Sequence, residues 1–234
     1  MLRARGEILE DGRWFAAPAD RNKDPILEVL ARVLPRDGLV LEIGSGTGQH
    51  VVHFAKTLTH LTWQPSDPDA DFRGSIALWT ALEKLPNVHA PLDLDVRRHP
   101  WPLARADAVI SINMIHVAPW AAAQALIDGA KQVLPGGGLL FLYGPFSRAG
   151  RHTSAGNEAF DADLRARNPD WGVRDLESVV RLAGEAGMEL SEIVEMPANN
   201  LSVVFRKRAP GVAAGDRSDE RRFSEGNPVT ERKT

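Results

Sequence analysis

Cysteine is absent from the chain, and its absence removes a disulfide framework, a thiolate metal centre and a sulfur nucleophile at once. Cytosol is the compartment this composition suits. Charge of one sign is lacking too: the formal net charge is −3, and the basic residues are scattered rather than gathered into a stripe. Such a surface has no field to concentrate a polyanion, so nucleic acid is not an expected partner. Long hydrophobic runs are also missing. The longest, near Leu139–Tyr143, is far too short to span a bilayer, and Met1 to Glu10 alternates charge with apolar residues instead of forming the apolar segment of a signal peptide. The expectation is a cytoplasmic protein with no membrane partner.

What is present is enough apolar surface for a substantial core, with 43% hydrophobic residues in 234. Residues 1–206 read as a single domain, in which 1–20 form an irregular N-terminal segment that packs near the site through Trp14 and Phe15. Within it, helices and strands alternate. Ile26, Leu27, Leu30, Val33 and Leu34 recur at helical spacing, with Asp24 placed as N-cap, Pro25 at the first helical position and Pro35 ending the run. Further helices are expected over 49–57, 72–85, 121–133 and 175–186. Strands are expected at 39–43, 61–64, 88–94, 108–112, 139–143, 189–196 and 201–206, the third of them weakly marked. This alternation predicts a doubly wound α/β fold: a mainly parallel seven-stranded sheet covered on both faces, an antiparallel hairpin at its edge, and a ligand crevice at the strands' C-terminal ends. Glycine, proline, serine and charge dominate 207–234, and this predicts a disordered tail.

Glu42-Ile43-Gly44-Ser45-Gly46-Thr47-Gly48 follows a strand and opens a helix, the context that a nucleotide-binding turn requires. Its glycines fall at relative positions 1, 3 and 5, whereas a dinucleotide fingerprint places them at 1, 3 and 6. An acid just before the first glycine, Glu42, suits a ligand with a cationic amino group better than a pyrophosphate. S-adenosylmethionine carries that ammonium and a sulfonium besides. Asp67 ends the second strand, where a carboxylate can accept both ribose hydroxyls. Leu94 and Asp95 stand near the end of the third strand, where an acid can accept from the adenine amino group; a solvated turn is the equally open reading of Asp95. Asn113 closes the fourth strand and faces the same crevice.

Several runs together resemble the methyltransferase-like 26 family, also described as a domain of unknown function. They are Ala19–Leu27, Glu42–His50, Trp63–Asp67, Ile112–His116, Leu142–Phe146, Asn157–Asp161, Trp171–Asp175 and Met196–Asn200, and the match covers roughly Ala16 to Arg206. The resemblance implies a class I methyltransferase fold with S-adenosylmethionine as cofactor, held by Glu42, Gly44, Ser45, Gly46, Gly48, Asp67, Asp95 and Asn113. Arg21 and Asn22 match a family motif, which implies an N-terminal segment folded over the cofactor. The family's acceptors are mostly undefined, and the tail after Lys207 lies outside the match.

Methyl transfer needs an acceptor lone pair aligned behind the sulfonium carbon, so positioning and desolvation can supply much of the rate, and a base matters only for a protonated acceptor. His116, three residues past Asn113, is the candidate base; the alternative is a histidine bonded into a helix start before Pro119-Trp120. Tyr143, at the end of the fifth strand, either orients an acceptor or caps the sheet. Asn199 and Asn200 read as turn formers, and Arg97-Arg98-His99 as a solvated basic turn. Trp14, Trp120 and Trp171 fall where an apolar acceptor pocket or simple core packing would use them. His50 and His53 are three apart on a helix without a third ligand in sight, so no metal site is expected. The expectation is a methyltransferase acting on a small-molecule acceptor. The alternative is a noncatalytic cofactor-binding or interaction protein on the same fold.

Overall fold

The computed structural model describes residues 6–209. In chain order the elements are β1 (Glu7–Ile8), β2 (Trp14–Phe15), α1 (Ala17–Val33), β3 (Leu39–Ile43), α2 (Gln49–Thr57), β4 (Thr62–Ser66), α3 (Ala70–Glu83), β5 (Ala108–Ile112) and α4 (Trp120–Val133). They continue with β6 (Leu139–Arg148), β7 (Arg151–His152), α5 (Ala155–Arg167), β8 (Arg174–Asp175), α6 (Leu176–Glu185), β9 (Met188–Met196) and β10 (Asn200–Lys207). Short 3-10 turns cover Met114–His116 and Pro197–Asn199.

β3, β5 and β6 are near-continuous apolar runs buried on both faces, which is what a parallel strand covered by helices demands. The main sheet has the order β4-β3-β5-β6-β10-β9. β4, β3, β5 and β6 pair in parallel, and β10 runs antiparallel between β6 and β9. The fold is thus doubly wound around a mainly parallel sheet, with β9 and β10 as its antiparallel edge hairpin. One core, including Ile26, Val29, Leu30, Val51, Phe54 and Ile76, packs α1, α2 and α3 on one face. A second, including Leu126, Ala130, Val179 and Ala183, packs α4 and α6 on the other.

Several expectations need correction. The third strand, at 88–94, is reduced to two bridges, Trp63 to Val88 and Ser66 to Leu92. Pro65 and Pro91 each lack an N–H, so no continuous ladder can form there. The Gln64 side-chain amide donates to Ala90 O at 2.8 Å instead. The strand count is therefore not seven: two short strands, β7 and β8, join the extension of β6 and bring the sheet to eight. α1 begins at Ala17 rather than at Asp24 or Pro25, with Pro18 in its first turn and Pro25 inside it. Buried Ile26, Val29, Leu30 and Val33 hold the helix across the hydrogen bond that Pro25 cannot make. The N-terminal segment is less irregular than expected, because Glu7 and Ile8 pair with Phe15 and Trp14. The hairpin docks through Trp14 N on Ser75 Oγ at 2.8 Å and Ala16 N on Gln49 Oε1 at 2.6 Å.

β10 runs to Lys207, and Arg208 N donates to Gly187 O at 3.0 Å, so the sheet enters the segment assigned to the tail. The rest of the tail expectation, over 210–234, lies outside the described residues. Among the described residues no helix is long and apolar enough to cross a membrane.

Candidate functional site

The turn from β3 into α2 sets the floor of the crevice. Gly48 caps α2 at φ +91°, and a Cβ there would stand 2.9 Å from Ile76 Cα, so a glycine is required by both conformation and space. Ser45 N donates to Ser66 O at 2.9 Å, while Ser45 Oγ accepts from Ser66 N at 3.2 Å, and these bonds tie the loop to β4. Asp67, directly after β4, bridges the same two segments. Its Oδ2 accepts from Gly46 N at 3.0 Å and its Oδ1 from Asp69 N at 2.9 Å.

A cavity of about 510 Å³ opens at the C-terminal ends of β3, β4 and β5. Among the residues named from the sequence, Gly44, Gly46, Asp67, Leu94, Asp95 and Asn113 line it together. Asp95 is clamped by Arg97, whose Nε donates to Oδ1 at 3.0 Å and Nη2 to Oδ2 at 2.7 Å. That guanidinium holds the Asp95 carboxyl below its ordinary range. Asn113 has a left-handed backbone (φ +61°) and donates its N–H to Tyr143 O at 2.8 Å, which sets its side chain at the wall. A non-glycine residue in that region is uncommon and often marks a site.

Glu42 stands behind the glycine loop with only 1% of its surface exposed, and its Oε2 has no hydrogen-bond partner. Burial pushes its pKa up to about 7, opposed by a hydrogen bond from Ser45 and reinforced by the nearby charge of Asp67. A buried carboxylate with an orphaned oxygen fits an ammonium group brought to the loop.

Glu42 does not itself line the cavity, and other candidates lie away from its wall too. Arg21 is exposed on α1. Asn22 Oδ1 lies 2.7 Å from His50 Nε2, and the Asn22 side chain also bonds the buried Tyr143 hydroxyl, whose pKa burial raises. This network joins α1, α2 and the middle of β6. His53 pairs with Asp24 at 2.8 Å, and no third ligand joins the two histidines among the described residues. Ser45 and Gly48 shape the loop without lining the cavity.

His116 was expected at the mouth of the fourth strand; it is instead 1% exposed, edge-on to Phe146 with ring centroids 5.1 Å apart. Its Nδ1 accepts from Arg174 N at 3.3 Å, and its Nε2 lies against Gly144 without a partner. Burial and the Arg174 charge push its pKa down to about 3, so the ring is neutral at physiological pH.

The wall also contains residues that the sequence reading passed over: Pro68 and Phe72 beside Asp67, Val117, Ala118, Pro119 and Ala122 after β5, and Arg167 and Asn168 at the end of α5. Most are apolar types that read as core. Arg97, taken for a solvated turn, reaches the wall as well. Of the three flagged tryptophans, Trp171 lines the cavity; Trp14 packs edge-on against Phe72 at 5.8 Å, and Trp120 lies beside Arg174.

A family model described as a protein of unknown function (DUF938) matches residues 13–207. Among solved structures, the chain is similar to an O-methyltransferase family protein from Burkholderia thailandensis, with 15% identity and a TM-score of 0.69 over 80% of this chain and 57% of that one. It is also similar to an O-methyltransferase family 2 protein from Planctomyces limnophilus in complex with apigenin, with 14% identity and a TM-score of 0.67 over 79% of this chain and 61% of that one. Human N-acetylserotonin methyltransferase in complex with S-adenosylmethionine matches at 14% identity and a TM-score of 0.64, over 80% of this chain and 55% of the other. The chain thus spans less than two thirds of the length of each of these proteins.

Proposed function

The chain belongs to the family of proteins of unknown function DUF938, and we propose that it is an S-adenosylmethionine-dependent methyltransferase acting on a small-molecule acceptor. The observation that carries this reading is the single crevice in which Gly44, Gly46, Asp67, Leu94, Asp95 and Asn113 meet. The fold and the similarity to methyltransferases support it, and the resemblance to the methyltransferase-like 26 family belongs to the same reading. Glu42 would receive the cofactor's ammonium through its orphaned oxygen, Asp67 the ribose hydroxyls, and Leu94 with Asp95 the adenine edge. When bound, the cofactor supplies an electrophilic methyl group on a sulfonium.

The chain's own part is to orient and to exclude water. The glycine loop and Asp67 fix one end of the ligand, and Asn113, held by Tyr143 O, sets a polar group beside the place of reaction. In this reading neither His116 nor Tyr143 takes the acceptor's proton. His116 is neutral and enclosed, and the Tyr143 hydroxyl is engaged with Asn22. Proximity and desolvation then supply the rate.

Adenosylhomocysteine should raise the melting temperature and NAD should not, because only a ligand of the native state stabilises it. A shift with NAD and none with adenosylhomocysteine would sink the reading. Label carried from methyl-labelled cofactor into the small-molecule fraction of a cell extract is expected next. Cofactor binding with no transfer to any fraction would leave a binding protein.

A further inference from the structure

The runs Asn157–Asp161 and Trp171–Asp175 have no part in the cofactor roles above, yet the fold brings them together beside the crevice, which Trp171 lines. Asp161, buried on α5, accepts from Val173 N at 2.7 Å and from Arg165 Nε at 2.8 Å. Gly172 permits that approach, since a Cβ there would stand 2.6 Å from Asp161 Oδ1. On the other flank Gly172 N donates to His116 O at 3.0 Å, and Arg174 N to His116 Nδ1 at 3.3 Å. The Arg174 guanidinium donates to three carbonyls, those of Ile115 (2.9 Å), Ala118 and Asp170 (2.9 Å). Charged donors make such bonds the stronger kind. Residues 168–174 are therefore tied to α5 behind and to the turn after β5 beside, and their free side presents Asn168 and Trp171 to the crevice.

Trp171 lines the cavity together with the apolar side chains of Leu94, Val96, Met114, Val117 and Ala122. Gly44, Gly46, Asp67 and Asp95 line the same cavity. An indole in a wall rich in apolar side chains suits a flat, uncharged heteroaromatic ring, because such rings stack on aromatic faces and shed water readily.

We propose that residues 168–174 are a fixed cover over the nucleobase end of the crevice, with Trp171 as the residue that meets the base and Arg174 and His116 as positioning residues that hold it there. This rests on the cofactor reading above. It gives His116 a use that needs no proton: its ring nitrogen and its carbonyl both serve as acceptors for the cover's backbone. The cover comes from the segment between β6 and α6, so base recognition is not confined to the ends of the parallel strands.

The test uses adenosine, which carries the base and sugar without the amino acid, beside adenosylhomocysteine. In the full chain W171A should weaken both about tenfold or more, the usual loss when a stacking ring is removed, whereas W171F should stay within a few-fold of wild type. If W171A does not fold, W171L takes its place with the same expectation. Protein labelled with 5-fluorotryptophan has six tryptophans to report, and W171F assigns the Trp171 resonance. Adenosine alone should move that resonance. R174M should displace it in the free protein and weaken adenosine several-fold, although Arg174 does not line the cavity; a merely structural arginine would lower the melting temperature and leave both unchanged. Wild-type binding of adenosylhomocysteine with W171A unaffected and the resonance still would overturn the cover alone. Failure of the wild type to bind adenosylhomocysteine would overturn the cofactor reading, and the cover with it.

Discussion

At the scale of single residues, one enclosed acid, Glu42, stands behind the glycine loop. Glu42 holds its proton up to about pH 7 in the folded chain, whereas an unfolded glutamate releases it well below that. The folded state therefore binds more protons between the ordinary glutamate range and about pH 7, and the contribution of Glu42 to stability falls as pH rises through that window and levels off above it. An ammonium ligand reverses the preference by pairing with the carboxylate. Adenosylhomocysteine should accordingly bind more tightly at pH 7.5 than at 5.5, by roughly tenfold or more, as Glu42 ionises. E42Q should flatten that dependence and weaken binding at the higher pH; calorimetric titration at the two pH values measures both. A wild-type affinity that is level with pH would remove Glu42 from the ammonium site. Glu42 was legible in the sequence because of its place before Gly44. Its enclosure was not, since burial follows from β3 lying between β4 and β5.

At the scale of elements, the glycine loop and α2 answer to their sequence most directly, because φ above zero and close approach leave little choice of residue. G48A should lose on the order of 1–3 kcal/mol, from strain at φ +91° and from a Cβ 2.9 Å from Ile76 Cα. That corresponds to several degrees in melting temperature for a domain of this size, readable by calorimetry. An unchanged melting temperature would show that the loop can relax away from α3. α5 is the opposite case. Its buried positions are Asn157, Asp161 and Leu164, so the stripe that faces the protein is mostly polar and gives no apolar period to read. α1 shows a third outcome, in which Asp24-Pro25 gives a start signal that tertiary burial overrides. Arg21 and Asn22 consequently sit on a helix, and Asn22 is brought to His50.

At the scale of the whole molecule, two cores on opposite faces of one sheet hold the crevice open at the strand ends. Among the described residues, Arg208 is the last one bonded to the sheet side, through Gly187 O and Glu189 Oε1. Residues 210–234 are poor in apolar side chains, so a chain ending at Ala209 should keep its melting temperature within about a degree and its affinity for adenosylhomocysteine unchanged. A drop of several degrees on truncation would assign that segment a docking role. By itself the sequence determined the alternation of helix and strand, the parallel core strands, the glycine turn and the acids Glu42 and Asp67, because periodicity, glycine conformation and strand-end placement are local properties of the chain. Only the tertiary structure decided that His116 is enclosed, that Tyr143 turns to Asn22, and that Trp171 lines the crevice. Those outcomes depend on contacts between segments far apart in the chain, such as Arg174 with Ile115 and Asp161 with Val173, and no local pattern encodes which buried partner a polar side chain will meet.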